Sequence, residues 1–244
     1  MTEPDASARP GSPSIMSAAI LVVTQLLVAQ MIAALLVAPL ALILAGGDYA
    51  GLSRGAFVGA ASLAANALTL GLLVLLARRW PDWRSALALF PGRLPLWMVA
   101  PATLALVVAM DALTALSGRP IVPQQLAPFF SGGFDTLAMA LSVVIGAPIV
   151  EELVYRGVLY GALERRWGSA AAFVVTAALF GLVHVATYGT DSFALAMVLL
   201  LGAYLTWLRW RSGSVLPPLL AHLVANLYAT VVIVVLGGSI GGRT

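Results

Sequence analysis

Glu151, Glu152, Arg156, His184 and His222 stand inside long apolar stretches of this chain. A charge at mid-membrane costs from ~3 to over ~10 kcal/mol depending on method, so such groups are usually paired and usually functional. Glu152 and Arg156 are four residues apart, share a helix face and suit an ion pair. Glu151 points about 100° away from that face. The spacing therefore divides the labour: a structural Glu152–Arg156 pair, and Glu151 as a carboxylate for proton transfer. Phe180 and His184 are again four apart, as are His222 and Asn226, and the chain has no other histidine. A lone helical histidine is more often a hydrogen-bonded packing residue than a catalyst. Here both lie within apolar runs, each with a same-face neighbour suited to stacking or polar contact.

This set admits three chemistries. Glu151 and His184 can polarise a water for attack on a peptide carbonyl, with His222 and Asn226 donating to the oxyanion. Alternatively, Glu151, His184 and His222 can hold a zinc ion, with the remaining glutamate as base. A b-type haem between the two histidines leaves the Glu-Glu pair unexplained. A proton-coupled transporter also uses buried Glu, His and Arg, but the polar residues concentrate in the last half of the chain, with no matching set in the first.

Apolar runs must position these side chains, because a spanning helix needs about 20 mostly apolar residues. Such runs cover roughly 16–45, 56–77, 96–116, 134–163, 169–188, 192–209 and 215–236. Turn and charge signals separate them: GGDYAG, RRWPDWR, LSGRPIVP, ERRWGS, YGTDS and RWRSGSVLPP. The expectation is an all-α bundle of about seven transmembrane helices. Residues 1–15, polar and rich in Pro and Ser, read as a disordered cytoplasmic tail, 16–130 as N-terminal membrane helices, and 131–244 as a four-helix core. The connection 117–133 has room for a short interfacial helix. Gly146 and Pro148, just ahead of the glutamates, are expected to loosen the helix there. Gln25, Gln30, Asn66, Thr176 and Thr206 read as interhelical hydrogen bonders, and Asp111 as a carboxylate near a span end. A rise of about 1.5 Å per residue from the Arg166 turn puts Glu151 and His184 at similar depth.

Composition agrees. The 244 residues are 61% hydrophobic and 9% charged, with a mean hydropathy of +1.00; soluble domains carry about 25% charged residues. Every cation is arginine, scattered between apolar runs, which argues against a nucleic-acid surface, and the absence of cysteine excludes disulfides and thiolate sites. Arg9, Arg78, Arg79, Arg84, Arg93, Arg165, Arg166, Arg209 and Arg211 fall on one side of the seven-span topology and Arg54, Arg119 and Arg243 on the other. Nine against three predicts a cytoplasmic N-terminus. The tryptophans, Trp80 to Trp210, cluster near the basic loops as an interfacial belt does.

In order along the chain, Glu151-Glu152-x-x-x-Arg156, Phe180-x-x-x-His184 and His222-x-x-x-Asn226 resemble the motifs of the CPBP family, the CAAX-protease and bacteriocin-processing (Abi) enzymes that include the eukaryotic Ras-converting CAAX endopeptidase. The resemblance covers about residues 135–236. An Ala147-Pro148 step before the glutamates and a Gly-Ser turn before the second histidine strengthen it. It implies an intramembrane endopeptidase in which Glu151 activates water, His184 helps to hold that water, and His222 and Asn226 stabilise the oxyanion. Glu152 and Arg156 would form the accompanying structural pair, with Phe180 beside His184. It leaves zinc and metal-free mechanisms equally open. The implied partner is a peptide or protein substrate with a membrane-associated segment. Some members of the family are scaffolds or immunity proteins. Arginine-only basic usage and Ala/Gly/Val richness suit a GC-rich bacterial genome, hence a bacterial plasma membrane, and make a prenylated CAAX protein a poor candidate for the native substrate.

Overall fold

The computed structural model describes residues 12–44, 46–47 and 53–241, and among these every regular element is helical. Helix α1 (Ile15–Val23) passes through a π-wound turn (Thr24–Val28) into α2 (Ala29–Leu44). Then come α3 (Arg54–Ala77), α4 (Trp83–Ala86), α5 (Leu96–Leu116) and α6 (Gly133–Ala140). A π turn (Leu141–Gly146), α7 (Ala147–Glu151) and a second π turn (Glu152–Leu159) lead into α8 (Tyr160–Val183). The last elements are α9 (Val185–Tyr188), α10 (Ser192–Ser212) and α11 (Leu216–Gly241).

Helix boundaries follow local chemistry. Helix α1 begins at Ile15, inside the stretch expected to be a tail, because Ser14 and Ser17 cap it reciprocally: the Ser14 hydroxyl accepts from Ser17 N–H at 3.1 Å and the Ser17 hydroxyl accepts from Ser14 N–H at 2.8 Å. Residues 1–11 of the expected tail lie outside the described residues, as do Arg9, Arg243 and most of the first break. Asp191 caps α10 by accepting from Phe193 and Ala194 N–H, and Gly213, at φ 73°, ends it in a left-handed conformation. The connection 117–133 holds a single 3-10 turn, Ala127–Phe129.

Six stretches are long and apolar enough to cross a membrane. One of them, Gly133–Tyr188, is 56 residues long. As a straight helix it would reach about 84 Å, against a hydrocarbon core of about 30 Å. It is not straight: Gly168, at φ 81° and ψ 168°, turns the chain within α8 and makes two crossings of it. The seven-span expectation therefore holds. No more than 28% of any spanning window is buried inside the protein, and residues such as Leu35 and Ile43 are over 70% exposed. An apolar exterior of this extent suits hydrocarbon rather than water. The chain is an integral membrane protein.

The chain forms two compact units, each drawn from three stretches. The first comprises residues up to 24, 70–96 and 150–220. There α10 packs along the second arm of α8, and the π turn at 152–159 packs on α1 and α8. The connection 87–93 is tied to the α10–α11 turn: Val215 N–H donates to Ala88 O at 3.0 Å, Ser214 Oγ to Phe90 O at 2.6 Å and Arg93 N–H to Ser212 O at 3.0 Å. Arg165 donates to the Pro13 carbonyl. The second unit comprises 25–69, 97–149 and residues from 221 on. Its close approaches use small residues: a side chain at Gly59 would stand 2.6 Å from the Ala138 carbonyl carbon, and Ala29, Ala33 and Ala65 form a buried cluster.

Candidate active site

The glutamates stand where an α-helix gives way to π winding. Glu151 ends α7, and Glu152 opens the turn that runs to Leu159. Such bulges occur often at functional sites because they re-aim side chains within an otherwise regular helix. The loosening expected from Gly146 and Pro148 takes the form of the earlier π turn, in which Ala147 N–H reaches back five residues to Ser142 O.

Glu152 and Arg156 are both fully buried, and Arg156 Nη1 donates to Glu152 Oε1 at 2.9 Å. The expected pair is therefore present, and the structure shows what else it needs. Arg156 Nη2 donates to Gly202 O at 2.9 Å and sits 3.4 Å from Thr206 Oγ1, which itself donates to Gly202 O at 2.7 Å. The guanidinium also lies 4.4 Å from the centroid of the Phe180 ring. A buried ion pair of this kind fixes geometry; Gly202 O satisfies Nη2, while the buried Arg156 Nε has no hydrogen-bond partner. Glu151, half-buried, lies within electrostatic reach of the same guanidinium.

Phe180 is the hinge pin of the set. Its ring contacts Arg156 on one side and the His184 ring on the other, 4.8 Å between centroids at 45°. Tyr155 meets it edge-on at 5.9 Å. His184 lies at the C-terminus of α8, not mid-helix: the expected run to 188 breaks there, and α9 follows as a separate turn. His184 Nδ1 stands 2.7 Å from Phe180 O. A carbonyl only accepts, so Nδ1 carries the hydrogen of the neutral ring, and Nε2 carries the lone pair. The ring is thereby oriented to accept a hydrogen bond at Nε2.

His222 and Asn226 lie one turn apart on α11, in the second unit. His222 is buried, and Asn226 Nδ2 donates to Val143 O at 2.8 Å. Asp111 accepts from Tyr228 OH at 2.8 Å. Of the residues read as hydrogen bonders between helices, Thr206 serves one, through Arg156. Gln30 is exposed, while Gln25 Oε1, Asn66 Nδ2 and Thr176 Oγ1 are buried without a hydrogen-bond partner.

Arg209 was expected in a basic loop and is instead buried near the C-terminus of α10. Its Nε donates to Arg156 O at 2.9 Å, and its guanidinium lies 4.8 Å from the Tyr160 ring centroid. A usable signal was in the sequence: Gly202, Thr206 and Arg209 fall at i, i+4 and i+7, one face of one helix. Without Arg209 the arginine bias is eight against three, the same sign.

Among the described residues no three His, Asp or Glu side chains are gathered so as to hold a metal ion. No step below is routed through a metal.

Residues 133–228 match the family described as Type II CAAX prenyl endopeptidase Rce1-like. That segment resembles the Rce1-like family. It holds all seven residues singled out above for the site, from Glu151 to Asn226. Over 95 residues the chain is 27% identical to a Bacillus subtilis (strain 168) protein named "Putative membrane peptidase YdiL", a stretch covering 39% of this chain and 36% of that protein. The chain thus matches only about a third of the length of that curated relative. No solved structure matches it.

Proposed function

We propose that this chain is an intramembrane endopeptidase in which Glu151 and His184 activate a water without a metal. The observation that carries the reading is the orientation of His184. Its Nδ1–H is committed to Phe180 O, its ring packs on Phe180, and Phe180 is braced by the Arg156–Glu152 pair. An imidazole held this way presents one lone pair in one direction, as the acceptor that holds a water beside the Glu151 base requires. The Rce1-like segment supplies the reaction class.

In the reaction, the water oxygen forms a bond to the peptide carbonyl carbon while its proton passes to Glu151, with Nε2 of His184 holding the water. The carbonyl oxygen becomes an oxyanion, for which His222 is the donor implied by the resemblance. Collapse breaks the C–N bond, and the proton held by the carboxyl goes to the leaving amine. The substrate class is a peptide with a membrane-associated segment.

The test uses the purified full chain in liposomes with membrane-anchored peptides. Glu151→Gln, His184→Ala and His222→Ala should each lower kcat by about 10²- to 10⁴-fold while unfolding as the unaltered protein does. Full activity in all three sinks the assignment. Metal content and chelation are measured on the same preparation. Activity that survives chelation supports the metal-free route, and activity lost to a chelator and restored by zinc refutes it.

A further inference from the structure

Both π turns end on a carbonyl that has lost its α-register donor. In the first, Ala147 N–H is spent on Ser142 O, although in α register it would serve Val143 O. The donor five residues on from Val143 is residue 148, a proline, with no N–H. Val143 O is left without a donor on its own helix, and Asn226 Nδ2 supplies one at 2.8 Å. The second turn repeats the logic. Tyr160 N–H is spent on Tyr155 O, which removes the α-register donor of Arg156 O, and Arg209 Nε supplies one at 2.9 Å. Each break is thus closed by a side chain from a later helix, and along the chain the two glutamates lie between the two closures.

We propose that Asn226 is a positioning residue: its amide replaces the N–H that Pro148 lacks and so fixes the helix break that leads into Glu151. This differs from the oxyanion role that the resemblance implies. The amide has two hydrogens, one of which is committed to Val143 O, so the two roles separate by experiment. For its consequence in catalysis the proposal rests on the peptidase reading; for the hydrogen bond itself it does not.

The decisive variants are Asn226→Ala, Pro148→Ala and the two combined, made in the full chain. The first readout is kcat on the membrane-anchored peptide. The second is hydrogen exchange across residues 141–151, which needs no activity. Asn226→Ala should lower kcat about tenfold, the scale of a carbonyl left without its donor, and should speed exchange across 141–151. Pro148→Ala restores a backbone N–H at the break, so adding it should recover both readouts to those of Pro148→Ala alone. A fall in kcat with unchanged exchange and no rescue means that Asn226 acts only on the oxyanion, and overturns the proposal. If the unaltered chain cleaves nothing, the peptidase reading fails while the exchange data still decide this one. If Asn226→Ala does not fold, a folded double variant supports the proposal, and a double variant that also fails to fold refutes it.

Discussion

The Phe180 ring occupies the space in which a side chain at Gly202 would stand: a Cβ there would lie 2.7 Å from Phe180 Cδ1. That is well inside van der Waals contact, so an added methyl must move the ring. Arg156 and His184 both lean on that ring, and a shift reaches the ion pair and the proposed water-holding imidazole together. Gly202→Ala should therefore lower stability by about 1–3 kcal/mol, as overpacking does, and lower activity with it. Gly181→Ala is the control, because its Cβ would meet the flexible end of Leu199 at 3.2 Å. Thermal unfolding in detergent compares them. Equal unfolding temperatures for the two would show that the ring is not pinned.

The Arg156–Glu152 pair makes a prediction about sign as well as size. Arg156→Ala leaves Glu152 fully buried without its cation, and breaking a buried pair this way costs about 3–5 kcal/mol. Replacing both, as Glu152→Leu with Arg156→Met, should cost less than Arg156→Ala alone, since no charge remains to be desolvated. Arg156→Lys should fall between, because an ammonium cannot reach Glu152 and Gly202 O in one planar fork. Unfolding midpoints across the four variants decide the matter. A double variant less stable than Arg156→Ala would contradict this account.

The tautomer of His184 is open to direct observation. With Nδ1–H committed to Phe180 O at 2.7 Å, the neutral ring should show a protonated Nδ1 and an unprotonated Nε2 by nitrogen NMR of labelled protein. The reverse pattern would remove Nε2 as the acceptor that holds the water.

Asp82 offers a pH test outside the spans. It caps α4 by accepting from Ser85 N–H at 3.2 Å. The hydrogen bonds from Ser85, side chain first and backbone second, hold its carboxyl below its ordinary range, and nearby Arg84 adds to this against a small opposing desolvation. A carboxyl depressed on folding contributes stability that is present above the unfolded pKa and lost as pH falls through the folded one. Amide exchange in α4 should accordingly rise in acid, and Asp82→Asn should flatten that rise. An identical acid profile in the variant would show that the cap carries no titratable stability.

How much of this was legible in the sequence differs by feature. The spans were, because a lipid-facing helix must be apolar over about 20 residues. The Glu152–Arg156 and Phe180–His184 contacts were, because residues four apart share a helix face whatever surrounds them. The π turns were not: no residue type prefers them, and Pro148 announced only that something must give. Arg209 was misplaced because its position near a span end suits a loop arginine as well as a buried one. What decides between those is the unsatisfied Arg156 carbonyl on another helix, which no local pattern reports. The break at His184 was missed because Val185–Tyr188 continues the apolar run after the helix proper has ended.

The π turn at Glu152–Leu159 also bears on the length of the chain. A wide turn holds one residue more than the helix around it needs, so removing a residue from 152–159 would let the turn relax to ordinary winding. The side chains beyond would keep their facing, because the wide turn is what absorbs the extra residue, and the Arg156 carbonyl that Arg209 now caps would regain a backbone donor. The same deletion in the Gly118 connection would change only the slack of a loop. The wide turn is therefore a length tolerance built into the site helix, taking up one residue without turning the faces on either side of it.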